Sequence, residues 1–152
     1  MKGTITCIEY DRIDLAYQKQ INLKTGKLVG LEALLRLRDE NGNIIPNDKF
    51  IPLIEGESLF SLVVMSSLQK LKKAFELKNE FDMNGVTIYL NVSAHTAMQD
   101  NFTKIFADFV KDLNLKPGEL GLEITETAEL ADVKKAGESV SYTHLTLPTM
   151  LP

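Results

Sequence analysis

Two glutamates and one asparagine, Glu32, Asn91 and Glu123, are the residues of this chain whose types could do chemistry together. Two carboxylates and an amide oxygen are hard donors, the ligand type that Mg²⁺ or Mn²⁺ takes, whereas Zn²⁺ sites usually recruit Cys or His. The chain has two histidines and one cysteine, and no Cys/His spacing motif. Outside the C-terminal stretch only His95 remains, expected in a loop rather than as a ligand. Arg36 follows Glu32 by four residues on the same strand face, where a guanidinium could meet a phosphate oxygen near a cation. The residue pattern alone leaves two other readings open: the carboxylates as the wet face of an open sheet, or as members of buried ion pairs. No Walker loop, Rossmann glycine pattern or nucleophile elbow occurs.

Residues so far apart in sequence need a sheet to bring them together. Period-two alternation predicts strands over residues 28–37, 86–92 and 120–125, with an earlier strand over 15–21. Helical spacing of apolar residues predicts helices over 59–78 and 99–113, and a further helix from near Thr127. In the first of these, Phe60, Val63, Val64, Leu71, Ala74 and Phe75 form the dry stripe; Gln69, Lys70, Lys72, Lys73, Glu76 and Lys78 form the wet one. Phe50-Ile51-Pro52 suggests a short ordered element inside the long connection of residues 39–58. Turns are expected at Asn41-Gly42, Asn84-Gly85 and Lys116-Pro117-Gly118.

Strands separated by helices imply βαβ units and a largely parallel sheet, hence an α/β fold. The strand faces then sort by parity. One face is aliphatic: Val29, Leu31, Ala33, Leu35 and Leu37, then Val86, Ile88, Leu90 and Val92, then Leu120, Leu122 and Ile124. The other carries Gly30, Glu32, Leu34 and Arg36, then Thr87, Tyr89 and Asn91, then Gly121, Glu123 and Thr125. Glu32, Asn91 and Glu123 therefore share a face, with Asn91 and Glu123 towards the C-terminal ends of their strands. In a parallel barrel those ends build the active site.

Composition narrows the function classes. The 152 residues carry a net charge of −4 and are 44% hydrophobic, an ordinary globular balance with no basic surface for sequence-independent binding to a DNA or RNA polymer. A single cysteine, Cys7, excludes an internal disulfide framework and fits a reducing, cytoplasmic setting. The longest dense apolar stretch is too short to insert in a bilayer, and the N-terminus lacks a secretory apolar run. All 38 charged residues precede position 140. Residues 140–149 resemble the translation of an end adapter from a transposon-based sequencing library, so 140–152 is read as a non-native tail.

Along the ordered motifs the sequence resembles the EAL domain family, bacterial phosphodiesterases that hydrolyse the second messenger cyclic di-GMP. Tyr17-Gln18 and then Ile21-Asn22-Leu23-Lys24-Thr25-Gly26-Lys27-Leu28-Val29-Gly30 resemble the family's opening strand and turn. Glu32-Ala33-Leu34-Leu35-Arg36 carries the signature. Phe50-Ile51-Pro52-Leu53-Ile54-Glu55, Leu90-Asn91-Val92-Ser93-Ala94 and Leu122-Glu123-Ile124-Thr125-Glu126-Thr127 resemble the blocks that follow. The resemblance implies a partial TIM-like (β/α)8 barrel, roughly its first four strands, with residues 1–14 as a lead-in and 15–139 as a truncated EAL domain. It implies Mg²⁺ or Mn²⁺ bound by Glu32, Asn91 and Glu123, with Glu32 and Glu126 in catalytic roles, the latter supporting a neighbouring loop from behind the ligands. Gln18 and Arg36 would contact cyclic di-GMP, which two metal ions and an activated water would open to linear pGpG. In the full-length protein the barrel would also offer a surface for a homodimer.

The sequence departs from the family at Lys19, where proline is usual, with Gln20 added near it, and at the loose acidic turn Glu55-Gly56-Glu57-Ser58. The family's later motifs, a paired aspartate, a lysine and a further glutamate and glutamine, do not occur. The expected function is therefore the N-terminal half of a cyclic di-GMP phosphodiesterase, inactive as this chain. The alternative is a degenerate EAL domain that serves as a non-catalytic cyclic di-GMP receptor or protein-interaction module.

Overall fold

The alternating stretches are strands in the computed structural model, which describes residues 10–54 and 59–125. After a 3₁₀ turn at Tyr10–Arg12 come β1 (Ile13–Ile21), β2 (Leu28–Arg38), β3 (Ile44–Ile45), α1 (Asn47–Ile54), α2 (Leu59–Glu80), β4 (Thr87–Ser93), α3 (Ala94–Ala97), α4 (Asp100–Asp112) and β5 (Leu120–Thr125). The sheet order is β1-β2-β4-β5, with β3 paired to β2. Among the described residues, 10–16, 34–54 and 59–82 form one compact unit; 17–33 and 83–125 form a second. Glu126, the helix expected from Thr127, the acidic turn of 55–58 and the tail of 140–152 lie outside the described residues.

In the first unit a tight hairpin turns β2 back on itself. Asp39 accepts hydrogen bonds from the backbone N–H groups of Asn41 (2.9 Å) and Asn43 (2.8 Å) and from the Asn43 amide (3.1 Å). The result is the antiparallel pairing of Leu37 with Ile45 and of Arg38 with Ile44, a strand too short for alternation to announce. The ordered element expected around Phe50 is α1, and Ile13, Leu37, Phe50 and Val63 form the unit's core, with Leu35 and Ile45 packed against it. Along α2, Leu71 and Phe75 are buried as expected, and Leu68 is buried with them. Lys78 is a correction: assigned to the wet side, it is only 4% exposed. It follows Leu71 and Phe75 at i+7 and i+3, so its aliphatic stem continues their stripe.

The second unit holds β4 between two parallel neighbours. Gly30, Leu31, Glu32 and Ala33 of β2 pair with Thr87, Ile88, Tyr89 and Leu90. On the other side, residues Ile88 to Ser93 pair in step with Leu120 to Thr125 of β5. The turn before β5 fixes this register. Gly118 takes a φ of 88°, Glu119 N–H bonds to Lys116 O (3.1 Å), and the Thr87 hydroxyl donates to Gly118 O at 2.7 Å. Upstream, α4 ends in a Schellman arrangement: Asn114 adopts φ 50°, its N–H bonds to Lys111 O, and Leu115 N–H reaches Val110 O at 3.1 Å.

The aliphatic face is the dry one. Ala33, Ile88, Val92, Leu120 and Leu122 are buried, as are Phe102 and Phe106 of α4, whose rings stack at 5.5 Å. Val29 departs from this, being 42% exposed, because the pairing with β4 begins only at Gly30. His95 also departs from expectation: its backbone is in α3, which follows β4 directly, rather than in a loop. Removing the Ile88 side chain from the centre of the sheet should cost about 2–5 kcal/mol of stability, whereas Val29→Ala should cost under about 0.5 kcal/mol. Urea unfolding of the two variants followed by circular dichroism checks this ordering.

Candidate metal centre

The site follows from the register of β4. Side chains of residues paired across parallel strands project on the same face, so Tyr89 joins Glu32 and Gly121, and Asn91 joins Glu123. The acid-and-amide face inferred from parity is thus assembled within the second unit. Asn91 Nδ2 donates to Glu32 Oε1 at 2.7 Å. Glu123 lies close enough to Glu32 for the two charges to act on each other.

Electrostatics mark this as a place that wants positive charge. The Glu123 carboxyl is pushed above the usual glutamate range, first because partial burial strips water from the charged form, and second because the Glu32 carboxylate repels it; a hydrogen bond from Gln20 works in the opposite direction. Two carboxylates held together with only amide donors between them fit a divalent cation, which would relieve both costs at once. Among the described residues no cluster of three or more His, Cys, Asp and Glu side chains occurs; the further oxygen on this face belongs to the Asn91 amide. Its nitrogen now faces Glu32, and half a turn about its last torsion presents the oxygen instead.

Two glycines shape the floor beneath. A Cβ on Gly121 would fall 2.5 Å from the Tyr89 ring, and one on Gly30 would fall 2.9 Å from it on the other side. No side chain fits at either place, so the ring lies across both neighbouring strands. Gln20 Oε1 also lies against Gly30. Neither Tyr89 nor Gln20 was picked out as part of the site from sequence, although Gln20 shares the parity of Gln18 on β1 and that signal was available.

Two of the other expected site residues are among the described ones. Gln18 is exposed on β1, two residues before Gln20. Arg36 belongs to the first unit, where its Nη1 donates to the backbone oxygen of Leu35 at 2.8 Å. Glu126 lies outside the described residues.

A parallel α/β sheet with carboxylates and an amide gathered on one face is the ground plan of a TIM-type barrel. The EAL domain model matches residues 6–144, and the chain belongs to that family. It is 32% identical to the cyclic di-GMP phosphodiesterase PdeA of Borreliella burgdorferi, over 83% of this chain and 19% of that protein. It is 27% identical to the probable cyclic di-GMP phosphodiesterase PdeB of Escherichia coli K12, over 88% of this chain and 26% of that protein. The chain thus spans about a fifth to a quarter of the length of these curated relatives. Among solved structures, the PaMucR phosphodiesterase in complex with c-di-GMP superposes with a TM-score of 0.79 at 23% identity, over 90% of this chain and 57% of that one. The FimX EAL domain of Pseudomonas aeruginosa bound to c-di-GMP gives 0.68 at 18%, over 90% and 55%. The fold is therefore that of an EAL domain, TIM-barrel-like and partial. No helix among the described residues is long and apolar enough to cross a membrane.

The raised Glu123 carboxyl has a consequence for stability without metal. A carboxyl with a folded-state pKa above its unfolded value favours the fold while protonated and disfavours it as pH rises through the folded value. Glu123→Gln should therefore be more stable than the parent chain at pH 7 in a chelating buffer. Its advantage should shrink as pH falls through the raised folded-state value and be gone below the ordinary glutamate pKa of about 4.3. Urea midpoints across pH test this; equal midpoints at pH 7 would contradict it.

Proposed function

We propose that this chain is the N-terminal half of a cyclic di-GMP phosphodiesterase that hydrolyses its substrate to linear pGpG with Mg²⁺ or Mn²⁺. The observation that carries the reading is the convergence of Glu32, Asn91 and Glu123 on one sheet face, a hard-oxygen donor set in a family whose named relatives include cyclic di-GMP phosphodiesterases. Bound there, the metal would supply Lewis-acid activation of a phosphodiester and of a water molecule.

The protein's own groups would do the rest. Glu32 and Glu123 supply negative charge to hold the cation, and the Asn91 amide, turned over from its bond to Glu32, supplies a neutral oxygen. Arg36 would meet a phosphate oxygen of the dinucleotide; a guanidinium has five N–H donors, so the bond to Leu35 does not exhaust it. Gln18, exposed on β1, would contact the substrate, and Glu126 would brace a loop behind the ligands. Turnover needs the later strands of the barrel, so the 152-residue chain alone should release no pGpG.

Chromatography of cyclic di-GMP incubated with Mg²⁺ tests both parts. The complete protein containing this segment should form pGpG, and Glu32→Gln should lower its kcat/KM at least about a hundredfold, near 2.7 kcal/mol of transition-state stabilisation. Substrate binding by the complete protein without any pGpG would instead establish the receptor alternative. Turnover by the isolated chain would refute its assignment as an incomplete site.

A further inference from the structure

Gln20 occupies a position that neither strand pairing nor the donor set explains. It is half-buried on β1, and its side chain is hydrogen-bonded to the Glu123 carboxylate. A carboxylate only accepts, so the Gln20 amide N–H must be the donor. The other end of the same amide, Oε1, lies where a Cβ on Gly30 would be, and the Tyr89 ring borders that space at 2.9 Å. The amide is thus seated at one end by a missing side chain and directed at Glu123 by the other.

We propose that Gln20 is a positioning residue for Glu123: seated over Gly30, it holds the carboxylate in the orientation from which it binds a divalent cation. The inference rests on the reading of Glu32, Asn91 and Glu123 as a cation site and adds to it a residue that touches neither metal nor substrate. Groups that orient a ligand from behind in this way typically change metal affinity by 10–100-fold when removed. Gly30 then has a functional reason to lack a side chain. An alanine there would press on both the Gln20 amide and the Tyr89 ring.

Calorimetric titration of MnCl₂ into the 152-residue chain tests this, with the Glu123 carboxyl ¹³C signal of the metal-free chain as a second readout. The parent chain should bind Mn²⁺. Gln20→Leu, similar in bulk but lacking the donor, should bind it at least about tenfold more weakly, and Gly30→Ala should do the same. In Gln20→Leu the Glu123 carboxyl signal should shift while the thermal midpoint stays put. Equal Mn²⁺ affinity in the parent and Gln20→Leu would overturn the proposal and leave the cation site standing. Weaker binding accompanied by a lowered midpoint and an unmoved Glu123 signal would also overturn it, assigning Gln20 a merely structural role. Failure of the parent chain to bind Mn²⁺ would overturn the cation reading itself and the proposal with it.

Discussion

The register of β4 between its two parallel neighbours is the constraint on which the site depends. Pairing Tyr89 with Glu32 and Asn91 with Glu123 puts oxygen donors from three strands on one face. Because side chains alternate, a slip of one residue would send Asn91 to the dry side and bring Leu90 or Val92 among the carboxylates. Two devices oppose the slip. On the dry side, Ile88, Val92, Leu120 and Leu122 would have to surrender their burial, at roughly 1.5–3 kcal/mol for each large side chain. At the start of the strands, the Thr87 hydroxyl bond to Gly118 O ties β4 to the turn that launches β5.

The polar face is organised in the opposite sense, holding together groups that disfavour one another. Glu32 and Glu123 repel, Glu123 is partly stripped of water, and the balance is kept by amides: Asn91 on Glu32 and Gln20 on Glu123. Amides suit this task because they can give an N–H to a carboxylate and turn an oxygen toward a cation without changing charge. The arrangement accepts a local electrostatic cost that the surrounding core offsets. The glycines at 30 and 121 belong to the same design, since each leaves room for the Tyr89 ring.

Much of this was legible in the sequence, for identifiable reasons. Alternation located the four longer strands to within a few residues, and parity alone sorted Glu32, Asn91 and Glu123 onto one face before any register was known. The ordered motif blocks then led to the EAL family, which the family match over residues 6–144 establishes. What escaped were features that depend on neighbours distant in sequence. The two-residue β3 carries no periodicity of its own. Burial of Lys78 follows from the phase of α2, which its charge conceals. Gln20 stood out only as a departure near the first strand, because its contact with Glu123 exists only once β1 and β5 have met sheet partners. The bond from the Arg36 guanidinium to the adjacent Leu35 carbonyl is a choice of rotamer that no spacing rule reports.

Glu32, Asn91 and Glu123 should respond to a divalent cation as one site. Paramagnetic broadening tests it most directly, with sub-stoichiometric Mn²⁺ added to the isotopically labelled chain and side-chain signals followed by nuclear magnetic resonance. The Asn91 amide and the Glu32 and Glu123 carboxyl signals should broaden together and before those of exposed acids such as Glu40 and Glu76. Broadening centred on those surface acids, with the three site signals left sharp, would contradict it.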